Sequence, residues 1–198
     1  MKSVVFALVI LAAVPAVAGE PGKALFEAKG CSACHGEAGS QPVPGAPVLS
    51  GQNASYLFKQ LKDLAEERRV ARKGADGAPR SAVMQAQAKQ LSADEMKQMA
   101  DWLASLPGLP AKGKAMAEGD GLDLFIDHGC NGCHGTDGRK PLTDYPLING
   151  QKKDYLALQI KDIRDDVRTN GRARLMISFA RDLTDAQADT IAAALAGQ

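Results

Sequence analysis

The chain of 198 residues has only three histidines, four cysteines and one tryptophan, and aromatic side chains make up 5% of it. So few metal-binding and proton-transferring groups can each be followed individually. Long apolar runs are missing except at the start, where Val4 to Val14 is shorter than a bilayer requires. An excess of one charge is missing too: 24 lysines and arginines face 23 aspartates and glutamates. A basic face for nucleic acid needs more than this, so that class of partner is excluded.

The apolar start reads as a secretory leader over residues 1–18. Lys2 supplies the charged end, the apolar run follows, and Ala16-Val17-Ala18 forms a small-residue cleavage site before Gly19. An exported, soluble protein is expected.

What is present is a repeat. "GCSACHGEAG" at 30–39 returns as "GCNGCHGTDG" at 129–138. At this offset of 99 positions Phe26 falls on Phe125, Gly51-Gln52 on Gly150-Gln151, Tyr56-Leu57 on Tyr155-Leu156 and Lys62-Asp63 on Lys161-Asp162. After Arg69 and Arg168 the first copy carries an insertion around "KGADGAP". The register then resumes, with Arg80, Met84 and Ser92 on Arg172, Met176 and Thr184. A tandem duplication follows, with domains expected over 19–105 and 120–198 and a Pro/Gly-rich linker over 106–119. Each copy is near the size at which an apolar core alone is marginal and a cofactor often completes it.

The pattern predicts helices near 22–30, 53–72 and 92–105, and near 121–129, 152–168 and 184–196. Asn53 is a candidate N-cap, and Ser92 with Glu95 and Thr184 with Gln187 form capping boxes. Strands have little support.

All four cysteines lie in the two C-x-x-C-H motifs, Cys31, Cys34 and His35, then Cys130, Cys133 and His134. Zinc ribbons place their pairs about 15–20 residues apart. A thioredoxin-type dithiol needs a βαβ context, and structural disulfides give no reason for a histidine after both pairs. C-x-x-C-H is instead the attachment signal of c-type haem: two thiols form thioethers, and the next histidine reaches the iron. Two motifs predict two covalently bound haem c groups.

The opposite axial ligand must come from few candidates. Two of the three histidines are already used, and His128 lies beside Cys130, poorly placed for the opposite face of a haem. Methionine remains. Met176 alone serves the second copy, and Met84 aligns with it in the first. Met96 and Met99 compete but lie within an expected helix as core residues, and Met116 in the linker reads as incidental. His/Met ligation closes both faces of the iron and raises its potential, which suits a carrier rather than an enzyme.

Other repeated positions offer supporting roles. Carbonyls at Pro47 and Pro146 could orient the imidazoles. Tyr56, Gln60, Tyr155 and Gln159 could bond haem propionates or simply pack in the core. Arg80 and Arg172 could balance propionate charge, although a solvated arginine is the default. "EERRVARK" at 66–73 reads as an exposed helix face, or as a docking patch.

These residues resemble the cytochrome c4 family of dihaem c-type cytochromes, over the whole chain after the leader. The resemblance implies an all-α fold of two tandem cytochrome c domains related by a pseudo-twofold axis, with the propionate edges of the haems close together. It implies a periplasmic one-electron carrier, sometimes held loosely at the inner membrane. The donor would be a quinol-cytochrome c reductase or dehydrogenase and the acceptor a terminal oxidase. By residue it implies Cys31, Cys34, His35 and Met84 for one haem and Cys130, Cys133, His134 and Met176 for the other. The haem subunit of flavocytochrome c sulfide dehydrogenase and the electron acceptor of thiosulfate dehydrogenase share this layout, so a dedicated enzyme subunit is the alternative. Trp102 against Ala194, and the insertion, suggest haems with unequal environments.

Overall fold

In the computed structural model, residues 20–109, 116–139, 141–142 and 144–196 are described. The expected leader and residues 110–115 of the expected linker lie outside them. The described residues contain ten α-helices and one 3-10 turn, Glu37–Gly39, and the only β feature among them is an isolated bridge between Lys73 and Pro79.

The first repeat contains α1 (Glu20–Ala28), α2 (Ser32–His35), α3 (Ala54–Ala65), α4 (Ala82–Ala88) and α5 (Ala93–Ser105). The second contains α6 (Asp120–Asp127), α7 (Asn131–His134), α8 (Lys153–Arg164), α9 (Ala173–Ala180) and α10 (Asp185–Leu195). In each, the first and last long helices cross, and the middle helix packs on the last and on the short helix before it. The crossing is close because Gly22 faces Gln98 and Trp102, and Gly121 faces Ala194. Phe26 and Phe125 fill the space beside it, and Phe26 packs on Trp102 with ring centroids 5.3 Å apart.

Each repeat has its own core. Phe26, Leu57, Met99, Ala100, Trp102 and Leu103 form one. Phe125, Leu156, Ile160, Ile191, Leu195 and Met116 belong to the other. Met116 is therefore a core residue of the second repeat and not incidental. Leu109 is buried and donates its N–H to the Ser50 carbonyl, which ties the segment after α5 to the first repeat.

The middle helices are shorter than expected. α3 stops at Ala65 and α8 at Arg164 because Glu67 and Asp166 both turn left-handed, at φ 56°. The Arg69 and Arg168 N–H groups then fold back onto the Asp63 and Asp162 carbonyls. Consequently "EERRVARK" is a loop wrapped over the helix end and not an exposed helix face. The insertion that follows is a tight turn, closed by Gly74 N–H to Ala78 O and Arg80 N–H to Arg72 O. Helices α2, α4, α7 and α9 have no counterpart in the periodicity. All are short, and none carries a side-chain N-cap.

Candidate functional site

The Cys31 N–H bonds the Phe26 carbonyl and the Cys130 N–H that of Phe125, while Gly30 and Gly129 turn the chain at φ 71° and 70°. The first residue of each motif thus hangs from the end of the preceding helix. A single helical turn follows, α2 or α7, and brings the second cysteine and the histidine onto adjacent faces of it.

His35 and His134 are buried, at 4% and 7% exposure. The Nδ1 of His35 lies 3.1 Å from the Pro47 carbonyl, and that of His134 lies 3.2 Å from the Pro146 carbonyl. A carbonyl can only accept, so the proton sits on Nδ1 and leaves Nε2 with a free lone pair. Burial lowers both imidazole pKa values, only partly opposed by the proline carbonyls, which favours this neutral form. Nε2 of His35 is buried with no hydrogen-bond partner. Buried polar atoms are rarely left so, and an iron centre would satisfy it.

Burial raises the Cys31 pKa, and pushes Cys130 up to about 11. None of the four cysteines pairs in a disulfide, and no group of three or more His, Cys, Asp or Glu among the described residues could hold a metal ion.

One cavity of about 520 Å³ extends through both repeats. Its walls include all four cysteines, His35, His134, Met84 and Met176, so every expected site residue is brought to it. Met99 also reaches its wall but is 2% exposed and packed within the first core, whereas Met84 and Met176 are only half-buried. His128 ends α6 and does not line the cavity. Aliphatic side chains such as Leu57, Leu61, Leu156 and Ile160 supply much of the wall, and this set of donors and apolar surface fits a covalently attached haem in each repeat.

The repeats meet around this cavity through near-symmetric contacts. The Gln52 amide donates to the Leu147 carbonyl at 2.8 Å and accepts from its N–H at 2.9 Å. Gln151 does the same with Val48, at 2.9 and 2.8 Å. Each glutamine therefore pairs with a peptide group of the other repeat. Deeper, Arg69 donates to the Tyr155 hydroxyl and to Gln159, while Arg168 donates to Tyr56, Gln60 and Gln159. Asn170 donates to Asp63, and Arg72 pairs with Asp162 and Asp165.

These contacts bear on two readings. Arg80 and Arg172 line the cavity but are exposed, and Arg172 stacks over the Tyr145 ring at 4.9 Å, whereas Arg168 is buried and Arg69 half-buried beside it. Tyr56, Tyr155, Gln60 and Gln159 accept hydrogen bonds across the repeat boundary, beyond any role as packing residues. The signal was available in the sequence, since Gln52, Arg69 and their partners recur in both copies. Repetition alone does not say that a residue faces the other copy.

Residues 19–107 match the family model for cytochrome c. The chain is 37% identical over 183 residues to a thiosulfate dehydrogenase electron acceptor from Thiomonas intermedia, an alignment covering 87% of this chain and 80% of the relative. It is 30% identical over 190 residues to cytochrome c4 from Pseudomonas aeruginosa, covering 91% and 89%. The reduced cytochrome c4 of Pseudomonas stutzeri superposes with a TM-score of 0.74 at 30% identity, covering 90% of this chain and 97% of that one. With paired C-x-x-C-H motifs on one cavity, these likenesses place the chain in the cytochrome c4 family, as a dihaem electron carrier with covalently bound haem c.

Proposed function

We propose that the protein is a periplasmic one-electron carrier with two His/Met-ligated haems. Cys31 and Cys34 attach the first and Cys130 and Cys133 the second. His35 and His134 are the proximal ligands and Met84 and Met176 the distal ones. The leader over 1–18 is removed on export, leaving domains at 19–105 and 120–198 joined by 106–119. Among the described residues no helix is long and apolar enough to cross a membrane.

The observation that carries this reading is the matched pair of buried imidazoles, each held by a proline carbonyl within a cavity that both methionines reach. A bound haem supplies an iron that cycles between ferric and ferrous states by one electron. The chain's own contribution is orientation and exclusion. Pro47 and Pro146 fix the imidazole tautomer, so Nε2 can bind without first losing a proton. Leu57, Leu61, Leu156 and Ile160 exclude water, and soft thioethers favour the ferrous state and raise the potential. If a histidine and a methionine both bind each iron, a bound haem would have no open position for oxygen or peroxide, which favours a carrier over an enzyme.

The donor is a quinol-cytochrome c reductase or dehydrogenase and the acceptor a terminal oxidase. A second reading, a dedicated acceptor for a sulfur-oxidising enzyme, is favoured by the name and 37% identity of the Thiomonas relative. Optical spectra test the ligands. Two low-spin haems per chain with the weak red methionine-to-ferric-iron band are expected, and Met84→Ala and Met176→Ala should each remove half of that band. A full band in either variant would reject that methionine. Rapid-mixing reduction by purified quinol-cytochrome c reductase, against reduction by thiosulfate dehydrogenase with thiosulfate, then separates the donors.

A further inference from the structure

Arg69 and Arg168 present an unbalanced charge. Arg168 is 6% exposed and Arg69 half-buried, and both line the shared cavity. Their partners are neutral. Arg69 reaches the Tyr155 hydroxyl at 2.6 Å and Gln159 at 3.2 Å. Arg168 reaches Gln159 at 2.6 Å, Gln60 at 3.0 Å, and Tyr56 and Asn170 both at 3.2 Å. Among the described residues neither guanidinium has a carboxylate within 4.0 Å. The carboxylates nearby are already engaged, Asp63 by Lys59, Arg68 and Asn170 and Asp162 by Arg72, although the charge of Asp63 still reaches Arg69.

Two cations so placed need anions, because a buried charge without a counter-charge is strongly disfavoured. Haem c carries two propionate carboxylates, and the arginines, the tyrosines and both proximal histidines line the same cavity. We propose that Arg69 and Arg168 form a cationic clamp shared between the repeats, which balances the propionate charge of both haems and raises both potentials. The clamp is crossed and unequal. Arg69, from the first repeat, has side-chain partners only in the second and so acts in trans on the second haem. Arg168 bonds Tyr56 and Gln60 of the first repeat and Gln159 of its own, and so acts on both. The Tyr56 hydroxyl reports the same field: burial raises its pKa, yet the charges of Arg168 and Arg69 and the Arg168 hydrogen bond bring it down overall.

The inference rests on one haem per C-x-x-C-H motif, and its test keeps the two apart. Potentiometric titration of the two-haem protein is followed in Arg69→Gln, Arg69→Lys and Arg168→Gln, with haem content and the red methionine band as controls. Met84→Ala identifies the wave that belongs to the first haem. Loss of positive charge favours ferric iron, so Arg69→Gln should lower the second wave by roughly tenfold in the ferrous-to-ferric ratio, which is 59 mV for one electron. Arg69→Lys keeps the charge and should hold that wave near its original position, and Arg168→Gln should lower both waves. If the waves stay in place while only thermal stability falls, the arginines merely join the repeats and the clamp is rejected. If Arg69→Gln does not fold, Arg168→Gln decides by the same criterion. A wild-type chain with fewer than two haems would instead reject the attachment reading.

Discussion

Gly22 and Gly121 sit where α1 and α6 cross the last helix of each repeat, and neither has room for a methyl group. A Cβ at Gly22 would lie 2.3 Å from the Gln98 carbonyl oxygen, and one at Gly121 would lie 2.5 Å from the Ala194 Cβ. Gly22→Ala forces the α1–α5 crossing apart and should cost about 1–3 kcal/mol, read from urea unfolding. Asp63 offers a second test at this scale. Burial raises its pKa, but hydrogen bonds from Lys59, Asn170 and Arg68, with the Lys59 charge, outweigh burial and hold it below the ordinary carboxylate value. A carboxyl lowered by folding stabilises the fold fully above its unfolded pKa, about 3.9, and the contribution fades as pH falls through the folded pKa. Stability should therefore drop below about pH 4, more steeply than in Asp63→Asn, whose loss of about 1–3 kcal/mol at neutral pH leaves less to titrate. Urea midpoints measured across that range check both. At this scale the repeat alignment shows both aspartates but not their burial, because Asn170 and Arg72, which engage Asp63 and Asp162, each come from the opposite repeat.

Helix starts were more legible than helix ends. Both capping boxes form: Ser92 accepts from the Glu95 N–H and Thr184 from the Gln187 N–H, with the third-residue side chains reaching back. Asn53 likewise caps α3 through Ser55 and Tyr56. Ser92→Ala and Thr184→Ala should each cost about 1 kcal/mol in unfolding free energy, and equal losses would show the boxes to be equivalent. The matching start of α8 has Lys152, which provides no cap and instead donates to the Pro42 carbonyl of the first repeat at 2.7 Å. A local rule has given way there to a contact between repeats. The ends of α3 and α8 fall short of the expected bounds for a similar reason. No glycine or proline interrupts the chain for several residues past Ala65 and Arg164, but the left-handed turns at Glu67 and Asp166 redirect it so that Arg69 and Arg168 enter the boundary.

At the scale of the molecule the two repeats act on one another through their glutamines. Gln52 and Gln151 each close two hydrogen bonds with a peptide group opposite, so loss of either leaves those backbone groups without their partners. A single cooperative thermal transition is expected for the whole protein. Gln52→Ala combined with Gln151→Ala should split it into two, and calorimetry resolves the difference. The repeats are also unequal around the cavity. Tyr145 meets the His134 ring edge-on at 6.0 Å, where the first repeat has Ala46, and Phe179 stands on the cavity wall where the first repeat has Gln87. Two distinct midpoint potentials are therefore expected, and a titration that fits one midpoint for both haems would count against it.

The sequence alone determined the duplication, the all-helical class, the C-x-x-C-H pairs and the short roster of axial candidates. These are local or counting properties, fixed by spacing within a few residues and by how few histidines and methionines the chain contains. Only the tertiary structure decided that Met116 belongs to the second core, that Arg69 and Arg168 face inward, and that the glutamines of the repeated Gly-Gln pair cross the boundary. Each of these depends on which surface the other repeat covers. A repeated polar residue facing water and one facing its twin carry the same letter, and burial against the twin separates them.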